Sequence, residues 1–369
     1  MKKALYITRI IKGKNHIFNK IEAQSKGLEE LGYDIDLCWV SSDYKIFLND
    51  NEIGYLNNNY QLQFNFFRNI NRVIQGSNYD LIYIRNPFII NQLSFLRFLK
   101  NNRNSDNKIL LEIPTYPYYL EMRGLKSKSI YFLEQMIKGQ LKKYIDCVLY
   151  SGNNFEKIYG INAIQLYNIG DTDEIRMKKE SYDFDNKVTK LIGVSGCSIY
   201  HGYDRVILGL RDYYIIKETD TSLNDVEFHI VGDGPCLAYY KELVEKFDLT
   251  QQVIFHGSKY KEELDPLYDG KNIGVSCIGM HRIGLQHGSP LKTGEYGCRG
   301  LPIVLGYQDQ LFSNRDFTYQ IQGDDSPVDI RDLLEWYKNR TFTTESIRKF
   351  TLDNVSWKKQ LENIIKQLK

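Results

Sequence analysis

A repeating alternation of short apolar strands and amphipathic helices constrains the fold more than any other feature of this sequence. It predicts strands at residues 4–8, 35–40, 81–84, 109–113 and 148–150, and again at 191–194, 227–231, 253–256, 273–277 and 302–304. Helices are predicted between strands, at residues 17–31, 89–99 and 129–143. Because short apolar strands separated by helices must be buried on both faces, they predict parallel sheets with helical layers.

The alternation occurs twice and is interrupted by a polar, charged stretch at residues 168–190, which we interpret as an interdomain linker. A chain of 369 residues is also too long for one ordinary core and suits two domains. We therefore predict an α/β fold with two doubly wound, Rossmann-like domains, residues 1–172 and residues 173–356. Ligands are expected at the carboxyl ends of the strands, in a cleft where the two domains face each other.

The charge of the chain excludes some classes of partner. The formal net charge is only +2, which argues against nucleic-acid binding. Residues 1–160 nevertheless carry 22 Lys and Arg against 15 Asp and Glu, whereas residues 161–369 carry 26 against 31. The basic first half suits an anionic membrane surface or a diphosphate-bearing acceptor, and it equally suits an ordinary scatter of surface charge.

Cysteine spacing and hydropathy predict the compartment. The six cysteines form no CxxC pair, so neither a zinc site nor a disulfide framework is indicated, and a reducing cytosol is expected. The first residues, MKKALYITRI, lack an apolar region of signal-peptide length, and no run of roughly 18 apolar residues occurs. We expect a cytoplasmic protein, with peripheral attachment to the cytoplasmic face of the membrane left open.

The strongest chemical signal lies in residues 281–304, HRIGLQHGSPLKTGEYGCRGLPIV, which predict a polar loop, a short helix and a buried strand. A helix that begins at Ser289 and Pro290 directs backbone amides outward, and such a terminus attracts phosphate. Lys292 adds a positive charge, and Glu295 can accept hydrogen bonds from a sugar diol. An anion site, a cation and a diol acceptor on one short helix predict a nucleotide-sugar pocket.

This helix resembles the donor-binding helix of the retaining, GT-B-fold glycosyltransferases of family four. That family has a Glu, seven intervening residues and a second Glu here; Glu295 occupies the second position, and His287 occupies the first. The resemblance implies a catalytic trio that consists of His287 at the sugar hydroxyls, Lys292 at the phosphates and Glu295 at the ribose. It also implies that the backbone at Ser289, Pro290 and Leu291 holds the donor diphosphate.

The string HRIG at the start of the segment is similar to one found at this point in some capsule-type members of the family. The resemblance makes His281 and Arg282 donor-binding candidates. On sequence alone, an exposed His-Arg pair of this kind is usually incidental, and that alternative stays open.

Three further loops of the second half resemble donor-binding loops of the same family. FHIVGDGP predicts a strand, a tight turn at Gly232 and Gly234, and a helix, and it is similar to the family's GxGP turn. VIFHG places His256 and Gly257 at the end of the next strand, which contacts the base in that family. The alternative is a set of well-made turns with no ligand.

The loop GCSIYHGYDRVI matches the loop in which many family members place Arg and Lys against the diphosphate. Gly196 begins this loop, Cys197 and Ser198 lie near the Arg position, and His201 lies at the Lys position, so that Gly196, Ser198 and His201 are donor-binding candidates. A histidine with an ordinary pKa near 6.5 can gain charge beside a diphosphate. The alternative is that His201 packs or caps the next helix.

Candidates in the first half rest on weaker signals. Gly13 lies in the loop after the first strand, which approaches the transferred sugar in GT-B enzymes, although a plain strand-to-helix turn explains it as well. Glu112, Tyr116 and Tyr118 lie in or beside a proline-braced loop, where aromatic faces suit a carbohydrate acceptor. The alternative is packing within their own domain.

The resemblance covers nearly the whole chain, including a final helix at residues 357–369 that should return to the first domain. It implies a retaining glycosyltransferase that uses a nucleotide-diphosphate sugar, with a UDP-sugar as the expected donor. The implied acceptor is a carbohydrate or polyprenyl-linked oligosaccharide in capsule or cell-surface polysaccharide synthesis. Neither a metal nor a cofactor is implied, because no Asp-x-Asp lies in a donor loop. Two alternatives remain: a non-catalytic subunit that stabilises a partner glycosyltransferase, and a sugar-nucleotide epimerase.

Overall fold

The computed structural model describes residues 1–12, 17–56, 59–85, 92–117, 138–179 and 188–368. Within these ranges the chain forms two compact units. The first, unit 1, contains Met1–Leu166 and Ser356–Lys369, and the second, unit 2, contains Tyr167–Val355. The division therefore falls six residues before the position 172/173 chosen from the sequence.

Unit 1 is built on a sheet of nine strands, counted over its described residues. The strands are β1 Lys2–Ile11, β2 Tyr33–Val40, β3 Lys45–Leu48, β4 Asn51–Tyr55, β5 Leu81–Arg85, β6 Lys108–Tyr116, β7 Cys147–Gly152, β8 Lys157–Ile158 and β9 Ile161–Gln165. Their order is β4-β3-β2-β1-β5-β6-β7-β9-β8, in which β2, β1, β5, β6, β7 and β9 run parallel and the edge strands β3, β4 and β8 pair antiparallel. Helices α1 Ile17–Glu29, α2 Asn59–Val73 and α3 Gln92–Asn102 connect these strands.

Unit 2 contains a second sheet, whose six described strands all run parallel. They are β10 Val188–Val194, β11 Asp225–Val231, β12 Val253–Phe255, β13 Ile273–Val275, β14 Ile303–Leu305 and β15 Thr318–Gln320. The helices are α4 Tyr203–Lys217, α5 Leu237–Lys246, α6 Asp265–Tyr268, α7 Leu291–Arg299, α8 Ile330–Lys338 and α9 Thr344–Val355. Short 3-10 turns occupy Ile199–His201 and Met280–Ile283, in the loops after β10 and β13.

The strand order of unit 2 determines where a ligand can bind. The order is β12-β11-β10-β13-β14-β15, so the direction of strand addition reverses between β10 and β13. Doubly wound sheets bind ligands at the carboxyl ends of the strands at such a switch point. The loops after these two strands meet there, where Ile278 N–H donates to His201 O at 3.1 Å.

The last helix, α10 Trp357–Gln367, belongs to unit 1. It begins after Ser356, whose hydroxyl accepts a hydrogen bond from the backbone of Lys359 at 3.4 Å. Its buried residues Trp357, Leu361 and Ile364 recur at helical spacing and form one apolar face. That face packs against α1.

The predicted fold class, two doubly wound α/β domains, is confirmed. The sequence missed the β3–β4 hairpin, because each of its strands is four or five residues long and partly exposed. The expected linker at 168–190 is wrong in its described first part: Asn168 donates to Ser289 at 3.1 Å and Arg176 pairs with Asp269 at 2.8 Å. These contacts hold that part of the chain within unit 2. Most of the helix predicted at 129–143 lies outside the described residues.

Candidate functional site

Helix α7 lies at the switch point of unit 2 and provides its centre. It begins at Leu291, one residue later than expected, because Pro290 keeps an extended conformation as the N-cap, with φ −62° and ψ 142°. The Ser289 hydroxyl is buried and accepts the backbone N–H of Asn168 at 3.1 Å. The Ser289 side chain therefore fixes the start of α7 against the first residues of unit 2.

Lys292 in the first turn of α7 is almost completely buried, with 9% of its surface exposed. Its ammonium donates to the Tyr203 hydroxyl at 3.1 Å, lies 5.2 Å from that ring's centroid and also hydrogen-bonds the Cys277 thiol. Burial lowers the pKa of Lys292. No salt bridge to Lys292 occurs within the described residues. The switch point of unit 2 thus contains a buried cation held by neutral groups.

Tyr203 positions this cation. It is the first residue of α4, is fully buried, and its hydroxyl also hydrogen-bonds the Ser195 side chain in the loop after β10. The chain Ser195–Tyr203–Lys292 therefore ties the loop after β10 to α7. Sequence reasoning missed Tyr203, because one of 28 tyrosines carries no individual signal and its partner lies 89 residues away.

Glu295 is half-buried one turn further along α7. Its charge raises the pKa of Tyr268 in α6, after the larger effect of burial, and it opposes the lowering of the pKa of Lys292. Glu295 therefore lies between Lys292 and the part of unit 2 that follows β12.

His287 lies beside a cavity of about 430 Å³ inside unit 2. The cavity is at the carboxyl ends of β14 and β15, and His287 forms a β-bridge with Gln308. None of the residues that line it is Asp, Glu, Lys or Arg. The lining residues whose side chains can form hydrogen bonds are His281, Gln286, His287, Tyr307, Gln308, Gln320 and Gln322. The cavity is therefore polar, and its lining contains no carboxylate, ammonium or guanidinium group.

The predicted donor contacts His281 and Arg282 are engaged within the protein. Arg282 forms a two-point pair with Asp204, at 2.9 and 2.7 Å, and also donates to Asp325 at 2.7 Å. His281 contacts the same Asp325 at 3.0 Å. These carboxylates raise the pKa of Arg282. The pair therefore fixes the turn Met280–Ile283 against α4, and its cation is already neutralised.

His201, a candidate diphosphate contact on sequence, has backbone partners within unit 2. His201 is 5% exposed, and its Nδ1 accepts the backbone N–H of Ser198 at 2.8 Å. Burial, followed by repulsion from Lys292, lowers the pKa of His201 to about 2. His201 is therefore neutral and closes its own 3-10 turn, which is the capping role considered as the alternative.

Gly232 and Gly234 allow the loops after β10 and β11 to approach each other. Their φ values are +130° and +152°, a region that favours glycine. A Cβ at Gly232 would lie 1.8 Å from the carbonyl oxygen of Ser195, and one at Gly234 would lie 2.0 Å from that of Gly196. The backbone conformation of the GDGP turn and its close contacts therefore require glycine at both positions, independent of any ligand.

His256 ends a hydrogen-bonded series that starts on β11. Glu227 Oε2 lies 3.0 Å from His229 Nε2, and His229 Nδ1 lies 2.9 Å from His256 Nε2. The two rings stack with centroids 5.2 Å apart. Gly257 follows and accepts the N–H of Gly232 at 2.8 Å, so the loops after β11 and β12 are also joined.

In unit 1, Glu112 is the centre of a buried network rather than an exposed acceptor contact, and that expectation is wrong. Only 1% of it is exposed. One carboxylate oxygen accepts from Lys20 at 3.0 Å and from Arg85, and the other accepts from Tyr83 at 2.7 Å and Gln24 at 3.0 Å. Although burial opposes ionisation, Arg85 and Lys20 lower the pKa of Glu112 to about 2.

The remaining candidates of unit 1 are less informative. Tyr116 is partly buried, and its ring packs edge-on against Phe155 with centroids 4.9 Å apart. Gly13 and Tyr118 lie outside the described residues. In the described part of the helix predicted at 129–143, Lys138 is buried over the Tyr159 ring, with its ammonium 4.6 Å from the ring centroid. Among the described residues, no helix is long and apolar enough to span a membrane.

Comparison with known proteins identifies the architecture. No protein-family model and no curated protein matches the sequence. Among solved structures, a glycosyltransferase from Rickettsia africae aligns over 100% of this chain and 97% of its own, with a TM-score of 0.62 and 14% identity. Sucrose-phosphate synthase from Thermosynechococcus elongatus aligns over 100% and 99%, with a TM-score of 0.66 and 12% identity. The lipopolysaccharide outer core galactosyltransferase WaaB aligns over 99% of both chains, with a TM-score of 0.63 and 12% identity.

The chain has the GT-B fold. Within unit 2 of this GT-B chain, the predicted residues Lys292 and Glu295 meet at the switch point, together with the loops that carry Gly196 and Gly232. His287 lies on the side of β14 and β15, and His256 lies on the side of β12. Sequence reasoning missed the residues that hold Lys292 and His256, because Tyr203 is 89 residues from Lys292 and His229 is 27 residues from His256.

Proposed function

We propose that this protein is a glycosyltransferase that moves a sugar from a nucleotide-diphosphate donor to a carbohydrate acceptor, with retention of the anomeric configuration. The observation that supports this most is the environment of Lys292. A buried ammonium without a carboxylate partner is costly unless an anion binds to it. Lys292 lies in the first turn of α7, where the helix dipole also favours an anion.

The ammonium geometry fits one diphosphate contact. A lysine has three N–H donors, and Tyr203 and Cys277 accept two of them. The third is left for an oxygen of the leaving diphosphate, beside the amides that begin α7. Charge builds up on that leaving group as the sugar becomes oxocarbenium-like, so these preorganised groups act on the transition state.

Glu295 and His287 complete the proposed donor site. Glu295 lies one turn beyond Lys292 and would accept hydrogen bonds from the ribose hydroxyls. His287 would meet the donor sugar in the 430 Å³ cavity at the carboxyl ends of β14 and β15. We propose that the reaction requires neither a metal nor a cofactor; unchanged turnover in EDTA is expected, and loss of turnover that Mg²⁺ or Mn²⁺ restores would refute this part.

For the acceptor, we propose a polyprenyl-linked oligosaccharide of a capsule or other surface polysaccharide, reached at the cytoplasmic face of the membrane. The excess of seven positive charges in residues 1–160 supports this. The protein should then bind vesicles that contain anionic phospholipid at low salt and dissociate above about 0.15 M salt. Equal binding to neutral and anionic vesicles would contradict membrane recognition by charge.

A second candidate is a non-catalytic GT-B subunit that stabilises a partner glycosyltransferase. His287 favours it, because an imidazole at the first acidic position of the family motif lacks the negative charge near the anomeric carbon. His287→Glu separates the two. A gain in turnover would indicate a site that has lost its acid, whereas a loss from an active wild type would indicate that His287 suits its own donor.

The proposal is tested by offering UDP-, GDP- and dTDP-sugars to the purified chain and measuring release of the nucleoside diphosphate. Release of one nucleotide, with its sugar transferred to an acceptor or to water, is expected. Binding without any turnover would favour the non-catalytic subunit. Neither binding nor turnover would refute both functions.

A further inference from the structure

The series Glu227–His229–His256 assigns a definite hydrogen-bonding state to a side chain at the carboxyl edge of unit 2. A carboxylate can only accept hydrogen bonds, so His229 Nε2, 3.0 Å from Glu227, must donate. In a neutral imidazole the other nitrogen then accepts, so His229 Nδ1 accepts from His256 Nε2 at 2.9 Å. By the same rule, His256 Nδ1 carries a lone pair and is an acceptor.

Both rings are neutral at physiological pH. Burial, with repulsion from Lys271, lowers the pKa of His229 to about 4. The same two causes lower the pKa of His256. Burial and Lys271 therefore disfavour protonation of both rings, while Glu227 selects one tautomer. No hydrogen bond to His256 Nδ1 occurs among the described residues.

The location of His256 fits the base of a nucleotide. The strand before it, β12, is two positions from β10 in the sheet, which is about 10 Å at the usual strand spacing. A nucleoside whose diphosphate lies at α7 extends over about that distance. Glu295 lies on the same side of α7, towards α6, whereas the cavity at His287 lies on the opposite side, at β14 and β15. The sugar and the base of the donor would therefore extend from the diphosphate in different directions.

We infer that His256 selects the base of the donor through its acceptor nitrogen: bases with a ring N–H at their pairing edge bind, and bases with a ring lone pair there are rejected. Uracil, thymine and guanine belong to the first class; cytosine and adenine belong to the second. With cytosine, two lone pairs would face each other and neither group would be satisfied. This inference rests on the proposed function, because it requires a nucleotide donor in unit 2. Glu227 and His229 are positioning residues that do not touch the base.

The test compares matched nucleotides on the full chain by isothermal titration. UDP should bind about tenfold more tightly than CDP. This ratio corresponds to roughly 1.4 kcal/mol, because His256 Nδ1 accepts a hydrogen bond from uracil but faces a lone pair of cytosine. For the same reason, GDP should bind more tightly than ADP. Equal affinities within both pairs would overturn the inference.

Two further measurements separate tautomer selection from a merely structural role. Glu227→Gln can donate as well as accept, so it should bring the UDP/CDP ratio towards one and leave inorganic pyrophosphate binding unchanged; Glu335→Gln, at an exposed position of α8, should keep the ratio. In two-bond ¹H–¹⁵N spectra, assigned with His256→Gln, wild-type His256 should show a protonated Nε2 and a bare Nδ1.

The outcomes also distinguish the inference from the proposed function. A ratio that Glu227→Gln leaves unchanged, or a His256 ring protonated at Nδ1, would overturn base selection by this mechanism. Binding of pyrophosphate and of all nucleotides without preference would overturn the inference alone. Binding of none of them would refute the proposed function and the inference with it.

Discussion

Lys20 in unit 1 and Lys292 in unit 2 are both buried, and the two units satisfy the charge in different ways. In unit 1, Lys20 is 3% exposed and lies 3.0 Å from Glu112, which also pairs with Arg85. In unit 2, Lys292 is 9% exposed and donates to the neutral Tyr203 hydroxyl at 3.1 Å. Burial lowers the pKa of both, that of Lys20 to about 8 even with Glu112 beside it.

This difference separates a structural charge from a functional one. A buried ion that has a partner and complete hydrogen bonds defines the arrangement of its neighbours, and removal of one partner is strongly destabilising. A buried ion held by neutral groups lowers stability until an anion binds to it. Unit 1 supplies its own counter-charge, whereas we propose that a ligand takes that role in unit 2.

The buried carboxylates show the same contrast. Cations lower the pKa of Glu112 to about 2, whereas burial raises the pKa of Asp309 in unit 2 to about 6. One Asp309 oxygen accepts the amides of Leu311 and Phe312 at 2.9 and 3.1 Å, and the other has no partner among the described residues. Unit 2 thus tolerates unpaired buried charge of both signs.

The largest expected effect is on stability, from Lys20→Met. Removal of one partner from a buried pair costs about 3–5 kcal/mol, and we expect the lower end because Arg85 still contacts Glu112. Urea unfolding measures it, with Lys358→Met on the exposed face of α10 as the control. A loss below about 0.5 kcal/mol, the range of ordinary surface substitutions, would remove the distinction between the units.

Lys292→Met should have the opposite profile. Turnover should fall about 10²–10³-fold, as when one donor to a developing anion is removed, with a smaller change in donor affinity. The unfolding free energy should stay unchanged or rise by about 1 kcal/mol, because an unpaired buried charge is replaced by an apolar chain of similar volume. A destabilisation as large as that of Lys20→Met would make Lys292 structural as well.

The pH dependence of stability tests the carboxylates. The pKa of Asp309 is raised by folding, so its contribution is fully present below about 3.8 and is lost as pH rises through about 6. Asp309→Asn should remove this loss, which is about 2–3 kcal/mol for a shift of two pKa units. As the pH rises from 4 to 7, the unfolding free energy of the variant, measured in urea, should therefore increase relative to that of the wild type. Parallel profiles over that range would show that Asp309 is not a buried, unpaired acid.

The smallest expected effect is on binding, from Glu295→Ala. Loss of hydrogen bonds to the ribose should weaken nucleoside diphosphate binding by about 1.5–3 kcal/mol and leave inorganic pyrophosphate binding unchanged. Glu335→Ala provides the matched control on another helix of unit 2. Equal losses for both ligands would assign Glu295 to the support of Lys292 rather than to the ribose.

The sequence was sufficient for elements defined by local periodicity. The alternation located ten of the described parallel strands within a few residues, because their sequences are largely apolar, as in β5 and β7. It also placed Lys292 and Glu295 on one helix. It missed the parallel strands β9 and β15, which are only partly buried. The sequence did not predict which charged residues are buried. Glu112 lies within an apolar strand, and only the fold shows that Lys20, 92 residues away, neutralises it.

The environment of Lys292 was equally inaccessible from sequence. Its neighbours Tyr203 and Cys277 come from the loops of two strands that become adjacent only when the strand order reverses between β10 and β13. His201 and Arg282 lie at the switch point, and this position suggested that they contact phosphate. In the structure, a backbone N–H already bonds to His201 and a carboxylate already pairs with Arg282.

Thermal unfolding of the wild type and Lys292→Met, each with and without inorganic pyrophosphate, tests most directly whether unit 2 leaves its counter-charge to a ligand. A ligand that binds only the folded state raises its stability by about 2.7 kcal/mol at a hundred times its dissociation constant. We predict that pyrophosphate raises the midpoint of the wild type and leaves that of Lys292→Met almost unchanged, while Lys358→Met responds like the wild type. An equal shift in all three proteins, or no shift in the wild type, would contradict the account.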